Sequence, residues 1–410
     1  MFAFKEMAVR GLRVYLLSND SAESVAVAVF VNAGTREEVW PQEAGLAHVL
    51  EHMNFRGTRK FPTSEMLSGY LEEIGGYKSA WTDREGTCYY GRAPHEYKER
   101  IFEVLFEAVQ HPLIEDARIS TEEENILKEI SGKKDNPVRF LQNLTFEFVF
   151  LNHPLARDVL GTEKAVAGFK RDDFLKFRKK FYVPANYTVI VTGKIQEKEV
   201  EELIEKYFDS NERGIPTIRE KIQLERKNER AFSYAQNLNQ LYFALVAPFE
   251  CGDDNMMPIS LDLFSRMIGG GVFSPLFQEI REKRGLAYTI RSGVQKFSDF
   301  GLFFIQGATD KNRYNEIRRI ILDVIKEGSR NERLLEVAKK QKIGQFRLTR
   351  ENTGNILDFA TRQVLEEGKL RDYSEIERDF NDVRISEVAT ATDKYLSRDS
   401  IMEVVLMPSK

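Results

Sequence analysis

Two histidines four residues apart, with a glutamate directly before the second, constrain this chain more than any other feature. They lie in Gly45-Leu46-Ala47-His48-Val49-Leu50-Glu51-His52-Met53. The segment reads as one amphipathic helix, because Leu46, Val49, Leu50 and Met53 form an apolar face that must be buried. His48 and His52 then project from one face, one turn apart, with Glu51 on the same side. Two imidazoles so placed can bind one zinc ion through their ring nitrogens. A carboxylate beside them can take a proton from water activated by the metal. The order His-x-x-Glu-His inverts the commoner His-Glu-x-x-His. The plain alternative is a helix with two structural histidines and a solvated acid. The chain has only five histidines, and two in this spacing favour the metal.

At 410 residues the chain is too long for one ordinary core and implies two or more domains. Its 42% hydrophobic and 30% charged residues fit a globular protein in water. A formal net charge of −4 gives no electrostatic reason for nucleic acid or an anionic membrane as partner. Cys88 and Cys251 are the only cysteines, which excludes a disulfide framework and a cysteine-type zinc site. Met1 to Glu6 runs into an alternating strand pattern without an apolar leader, and no apolar run is long enough to span a bilayer. The expected location is therefore cytoplasmic. Gly269-Gly270-Gly271 follows a helix and lacks a phosphate-binding pattern, so no nucleotide site is expected.

Along the chain, Leu12 to Leu17 and Ser24 to Val31 read as strands, the second β-branched and alternating. Gly34 to Glu38 reads as a loop before the histidine helix. A helix opened by Thr63-Ser64-Glu65 stops at Gly75-Gly76, and strands follow through Ser79 to Thr82 and Cys88 to Gly91. Helices are expected over 97–110, 120–133, 139–150 and 197–207, with a strand at Tyr187 to Gly193. After a polar stretch the order starts again: strand 242–247, helix 257–267, strands 285–290 and 301–305, helix 311–325. Gly86 to Tyr90 with Ala93 corresponds to Gly301 to Ile305 with Ala308, and the histidine helix to Leu261 to Met267. The expected fold is therefore α+β: two duplicated domains, each a mostly antiparallel sheet with helices packed on one face. The boundaries expected are 1–212, a linker at 213–228, and 229–410. The second copy has no histidine, so it must contribute something other than metal ligands.

A zinc site needs a third protein ligand and an open position. His95, His111 and His153 have no helical spacing to one another, and the last two precede prolines as turn residues do. Ser120-Thr121-Glu122-Glu123 begins with a capping-box pattern and opens a helix. Glu122 and Glu129, seven apart, share one face of it. Local sequence does not choose between these two glutamates.

Several stretches resemble one family throughout the chain. They are Gly45 to Met53 followed by Phe55-Arg56-Gly57-Thr58, Gly75-Gly76 to Thr82 with Glu85 and Tyr89, and Glu122 and Glu129 followed by Asp135-Asn136-Pro137. His153-Pro154, Gly161 and Arg281-Glu282-Lys283-Arg284-Gly285-Leu286-Ala287-Tyr288 complete the set. Together they resemble the pitrilysin/insulinase zinc peptidases in their short two-repeat form, which includes the mitochondrial processing peptidases. The resemblance implies one Zn2+ per chain held by His48, His52 and Glu129, with Glu122 supporting a ligand histidine from behind. It implies Glu51 as general base, and Arg281 and Tyr288 as substrate-handling donors supplied by the metal-free half. Ser79, Ala80 and Trp81 would take the peptide as an added strand. The family usually has Asn where this chain has Ser79, which removes an amide that touches the substrate backbone. Two chains closing around a chamber would prefer short or unfolded peptides. Both motifs on one chain favour a homodimer. The competing readings are a non-proteolytic structural subunit of the same fold, which would lack the His-x-x-Glu-His set, and a hydrolase of non-peptide substrates, against which Arg281 and Tyr288 argue.

Overall fold

The computed structural model describes residues 3–133, 135–209, 213–219, 230–235, 238–252 and 256–409. They divide into two units, one of Met1–Gly132, Arg157–Glu220 and Leu348–Leu370, the other of Lys133–Ala156, Lys221–Arg347 and Arg371–Lys410. Strands β1 (Ala3–Val9), β2 (Leu12–Ser18), β3 (Ser24–Val31), β4 (Tyr77–Thr82), β5 (Thr87–Pro94) and β6 (Tyr187–Gly193) form the first sheet. Their order is β1-β2-β6-β3-β5-β4, antiparallel except where β2 lies beside β6. β4 is an edge: among the described residues it pairs only with β5.

The first unit also holds helices α1 (Leu46–Asn54), α2 (Ser64–Glu72), α3 (Lys98–Gln110) and α4 (Asp116–Lys133). The next helix, α5 (Pro137–Phe150), belongs to the second unit; α6 (Glu163–Val166), α7 (Arg171–Phe181) and α8 (Glu197–Tyr207) belong to the first. Every residue of β3 is buried, so both faces of its sheet are covered. Val25, Val27, Val29 and Val31 join a core with Leu46, Val49, Leu50 and Met53 of α1 and with Phe102, Leu105 and Phe106 of α3. The apolar stripe read in the histidine segment is thus what fixes α1 to the sheet. α4 starts one turn before the capping-box pattern expected at Ser120. Ser120 and Thr121 instead donate back to the carbonyls of Asp116 and Ala117 inside the helix.

In the second unit β7 (Arg230–Ala235), β8 (Leu241–Glu250), β9 (Ala287–Lys296), β10 (Phe300–Thr309) and β11 (Met402–Pro408) form a sheet of order β7-β11-β8-β10-β9. Only β7 and β11 run parallel. This reproduces β2-β6-β3-β5-β4 strand for strand, and the expected two mostly antiparallel α+β domains are present. α9 (Met256–Gly269) and α10 (Tyr314–Gly328) stand in the positions of α1 and α3 in the order of elements. Helices α11 (Glu332–Thr349), α12 (Thr353–Glu367), α13 (Tyr373–Asp382) and α14 (Ile385–Tyr395) follow. No helix among the described residues is long and apolar enough to cross a membrane.

The units depart from the contiguous halves 1–212 and 229–410 in two exchanged segments. α12, from the later half of the sequence, packs on β3 and β6 of the first sheet, and the Thr192 hydroxyl donates to the Thr353 carbonyl at 3.0 Å. α5, from the earlier half, packs on β8 and β11. There Leu141, Phe146, Val149 and Phe150 meet Ala244, Val246, Leu302, Met402, Val404 and Leu406. Each sheet has a second apolar face, and each exchanged helix covers one. The linker expected at 213–228 is irregular over 213–219 but not free there. Arg219 reaches the Glu37 carboxylate at 2.7 Å, the Asn32 amide oxygen at 2.9 Å and the Glu85 carbonyl at 2.6 Å. Residues 220–228 lie outside the described residues.

Candidate metal centre

The entry to α1 is built by a residue the sequence left in a plain loop. The Glu38 carboxylate accepts hydrogen bonds from the backbone N–H groups of Gly45 (3.0 Å) and Ala47 (2.9 Å), two of the donors that a helix start leaves unsatisfied. Gly45 has φ 94°, and a Cβ there would sit 2.7 Å from the Leu160 carbonyl oxygen, so only glycine fits this turn.

From α1, His48 and His52 face each other with ring centroids 4.8 Å apart. One donor atom each from His48, His52 and Glu129 of α4 lie within 4.8 Å of one another. His48 Nε2 is 3.9 Å from the Glu129 carboxylate, while its Nδ1 is buried without a hydrogen-bond partner among the described residues. His52 Nδ1 is 3.1 Å from Glu122, which leaves Nε2 for a ligand. Tetrahedral zinc with nitrogen and oxygen ligands holds its donors about 3.4 Å apart, so these three need only a small contraction. The donor set, two imidazoles and one carboxylate with a second carboxylate behind an imidazole, fits zinc in a hydrolytic site.

The two glutamates differ in burial and in partners. Glu122 has a fully buried side chain and is held by Arg56, His52 and the Asn125 amide (3.2 Å). Glu129 keeps 39% of its side chain exposed and is the one that reaches His48. Burial works against charge on Glu122, but the bonds from His52 and Arg56 outweigh it and hold its pKa below the usual carboxylate value. Burial also works against charge on His52. The hydrogen bond to Glu122 and the charges of Glu51, Glu122 and Glu129 overcome it and raise the His52 pKa. For His48, burial and the neighbouring His52 act together and depress the pKa to about 3, so the ring is neutral and its lone pair is available.

Glu51 is buried beside the two histidines, and burial raises its pKa. The Thr82 hydroxyl donates to its Oε2 at 2.9 Å. Thr82 closes β4, and the sequence placed it on the strand but gave it no part in the chemistry. The pleat of β4 alternates. Ala80 packs on the α1 side of the sheet and Thr82 bonds Glu51, while Trp81 meets Phe30 on the opposite side at 6.2 Å. Ser79, two residues before Trp81, shares that opposite side.

In the second unit, Arg281 is the penultimate residue of a π-helical turn (Phe277–Glu282) and Tyr288 is the second residue of β9. The Arg281 guanidinium lies 4.6 Å from the Tyr288 ring centroid and 4.8 Å from that of Phe277. Tyr288 is 75% exposed, far beyond what a half-buried strand tyrosine would show. The structure thus brings the two residues of this pair together. His95, His111 and His153 lie outside the three-residue donor group. His153 is buried near Asp299, at 3.7 Å, and its Nδ1 accepts from the Leu155 N–H.

Residues 13–163 match the family model described as Insulinase (Peptidase family M16), and residues 168–342 match the Peptidase M16 inactive domain. The chain is 28% identical over 400 residues to the uncharacterized zinc protease YmxG of Bacillus subtilis (strain 168), with 96% of each chain covered. It is 29% identical over 409 residues to an uncharacterized zinc protease of Rickettsia bellii (strain RML369-C), covering 97% of this chain and 89% of that one. Among solved structures, a protease from Helicobacter pylori matches with TM-score 0.89 at 20% identity over 100% of both chains. A peptidase M16 inactive domain from Pseudomonas fluorescens matches with TM-score 0.88 at 17% identity, over 100% of this chain and 98% of that one. At such identities the two structures speak for the fold alone.

Proposed function

Because the chain belongs to the pitrilysin/insulinase-type (M16) peptidase family, we propose that it is a zinc-dependent endopeptidase acting on peptides or unfolded polypeptides. The observation that carries this reading is the convergence of His48, His52 and Glu129 beside a buried Glu51. In it, His48, His52 and Glu129 would hold one zinc ion, and the bond from His52 Nδ1 to Glu122 would leave Nε2 free to serve as the ligand atom. When bound, zinc supplies an acidified water and polarises the substrate carbonyl. Glu51, oriented by Thr82, takes the proton of the attacking water and passes it to the leaving amine. The free edge of β4 takes the substrate as an added strand through the main chain of Ser79, Ala80 and Trp81. Tyr288 donates its hydroxyl to the developing oxyanion, and Arg281 steers peptide carbonyls. Pairing of two such chains around a chamber would add selection for short or unfolded substrates.

The ligand assignment is tested by metal content. Native protein should carry about one zinc per chain, and His48→Ala or Glu129→Gln should weaken binding by roughly 10-fold or more. Elemental analysis after dialysis reads the result. Full zinc in either variant would reject that residue as a ligand.

A further inference from the structure

Among the described residues, Lys78 is an ammonium without an ion pair, on the face of β4 that carries Thr82, the donor to Glu51. It alternates with Ser79 and Trp81 and so lies on the side of Ala80 and Thr82. Its Nζ sits 4.1 Å from the centroid of the Phe55 ring, just beyond the end of α1. Phe55 in turn packs on the first core and meets the Tyr89 ring edge-on at 5.7 Å. Lys78 is half-buried, and among the described residues it makes no salt bridge. Burial holds its pKa below the ordinary lysine value, with Glu72 opposing and Arg56 adding to the shift. A partly desolvated cation without an ion pair among the described residues gains when an anion arrives beside it.

The β4 edge determines which anion can arrive. A strand added there places one side chain opposite Lys78 and another opposite Thr82, the donor to Glu51. Cross-strand neighbours on one face stand about 5 Å apart, within reach of Lys78 Nζ. Lys78 and Thr82 are four strand residues apart, or about 13 Å. We propose that Lys78 is a specificity-determining residue that selects substrates with an acidic side chain about four residues from the bond cut. The inference rests on the reading of β4 as the substrate edge and adds to it a side-chain preference along an otherwise main-chain contact.

The test uses full-length, zinc-loaded protein and quenched peptide libraries carrying Asp, Asn or Lys at one position at a time. Native protein should favour Asp at a single position about four residues from the cut, by roughly 5- to 20-fold in kcat/KM over Lys. Lys78→Glu should invert that ratio, and Lys78→Met, which keeps an apolar stem over Phe55, should bring it near one. The ratio is taken within each variant, so a partial loss of folded protein does not affect it. An unchanged Asp preference in Lys78→Glu, or no charge preference at any position in native protein, would overturn this inference and leave the peptidase reading intact. No hydrolysis of any peptide would overturn that reading and this inference with it.

Discussion

Glu51→Gln should leave zinc content near the native level and lower kcat by roughly 10²- to 10⁴-fold. Glutamine keeps the shape of the side chain and can still accept the Thr82 hydroxyl, so the position of α1 and of both histidines is preserved. What it cannot do is take a proton. Glu51 is buried, and burial raises its pKa above the usual 4.5, so its charged form is disfavoured in the folded, metal-free protein. A carboxyl with a raised folded-state pKa stabilises the fold only at low pH. That contribution fades as pH rises past the unfolded value and is gone once pH passes the raised one. At neutral pH the charge is a burden that glutamine removes. Metal-free Glu51→Gln should therefore melt no lower than metal-free native protein while turning over far more slowly. Near-native hydrolysis by this variant, measured with equal zinc, would remove Glu51 as the base.

Tyr288→Phe should lower kcat by roughly 10- to 1000-fold at unchanged zinc content. A donor to an oxyanion acts mainly in the transition state, so its loss falls on kcat more than on KM. Phenylalanine keeps the ring on which Arg281 rests, and a side chain that is 75% exposed has little to lose in packing. Arg281→Ala, by contrast, removes a ground-state contact and should raise KM as well. Unchanged kinetics in Tyr288→Phe would take the second unit's donor out of the mechanism. Expressing residues 1–212 and 229–410 separately is a poor substitute for these variants. The first fragment would lack α12 over its sheet and the second would lack α5, leaving an apolar face bare on each.

That exchange marks the limit of what the sequence discloses about the fold. The strands through Ser24–Val31 and Tyr187–Gly193 and the histidine helix were legible, because apolar periodicity reports directly which face is buried. It does not report against what. Leu141, Phe146, Val149 and Phe150 advertise a buried stripe, but only tertiary structure says that the stripe lies on β8 and β11. Beyond Ile325 the chain forms α11 to α14 and β11, none of them among the elements expected from the sequence. At the site, the histidines and Glu51 were legible from spacing, and the choice of Glu129 over Glu122 came from resemblance. Two acids seven apart share a helix face, and their difference is one of depth: Glu122 is enclosed by Arg56 and His52, while Glu129 stays open toward His48. The parts that Glu38 and Thr82 play at the site left no signal. One acts through backbone N–H groups at a helix start and the other through a single hydroxyl at a strand end, and neither follows a periodic pattern.

The central claim is that peptide hydrolysis depends on zinc held by this one site. The most direct measurement strips the metal with a chelator and titrates zinc back while following cleavage of a quenched unstructured peptide. Hydrolysis should be absent in the stripped protein and should rise to a plateau at about one zinc per chain. Hydrolysis that persists at full rate in verified metal-free protein would contradict the account.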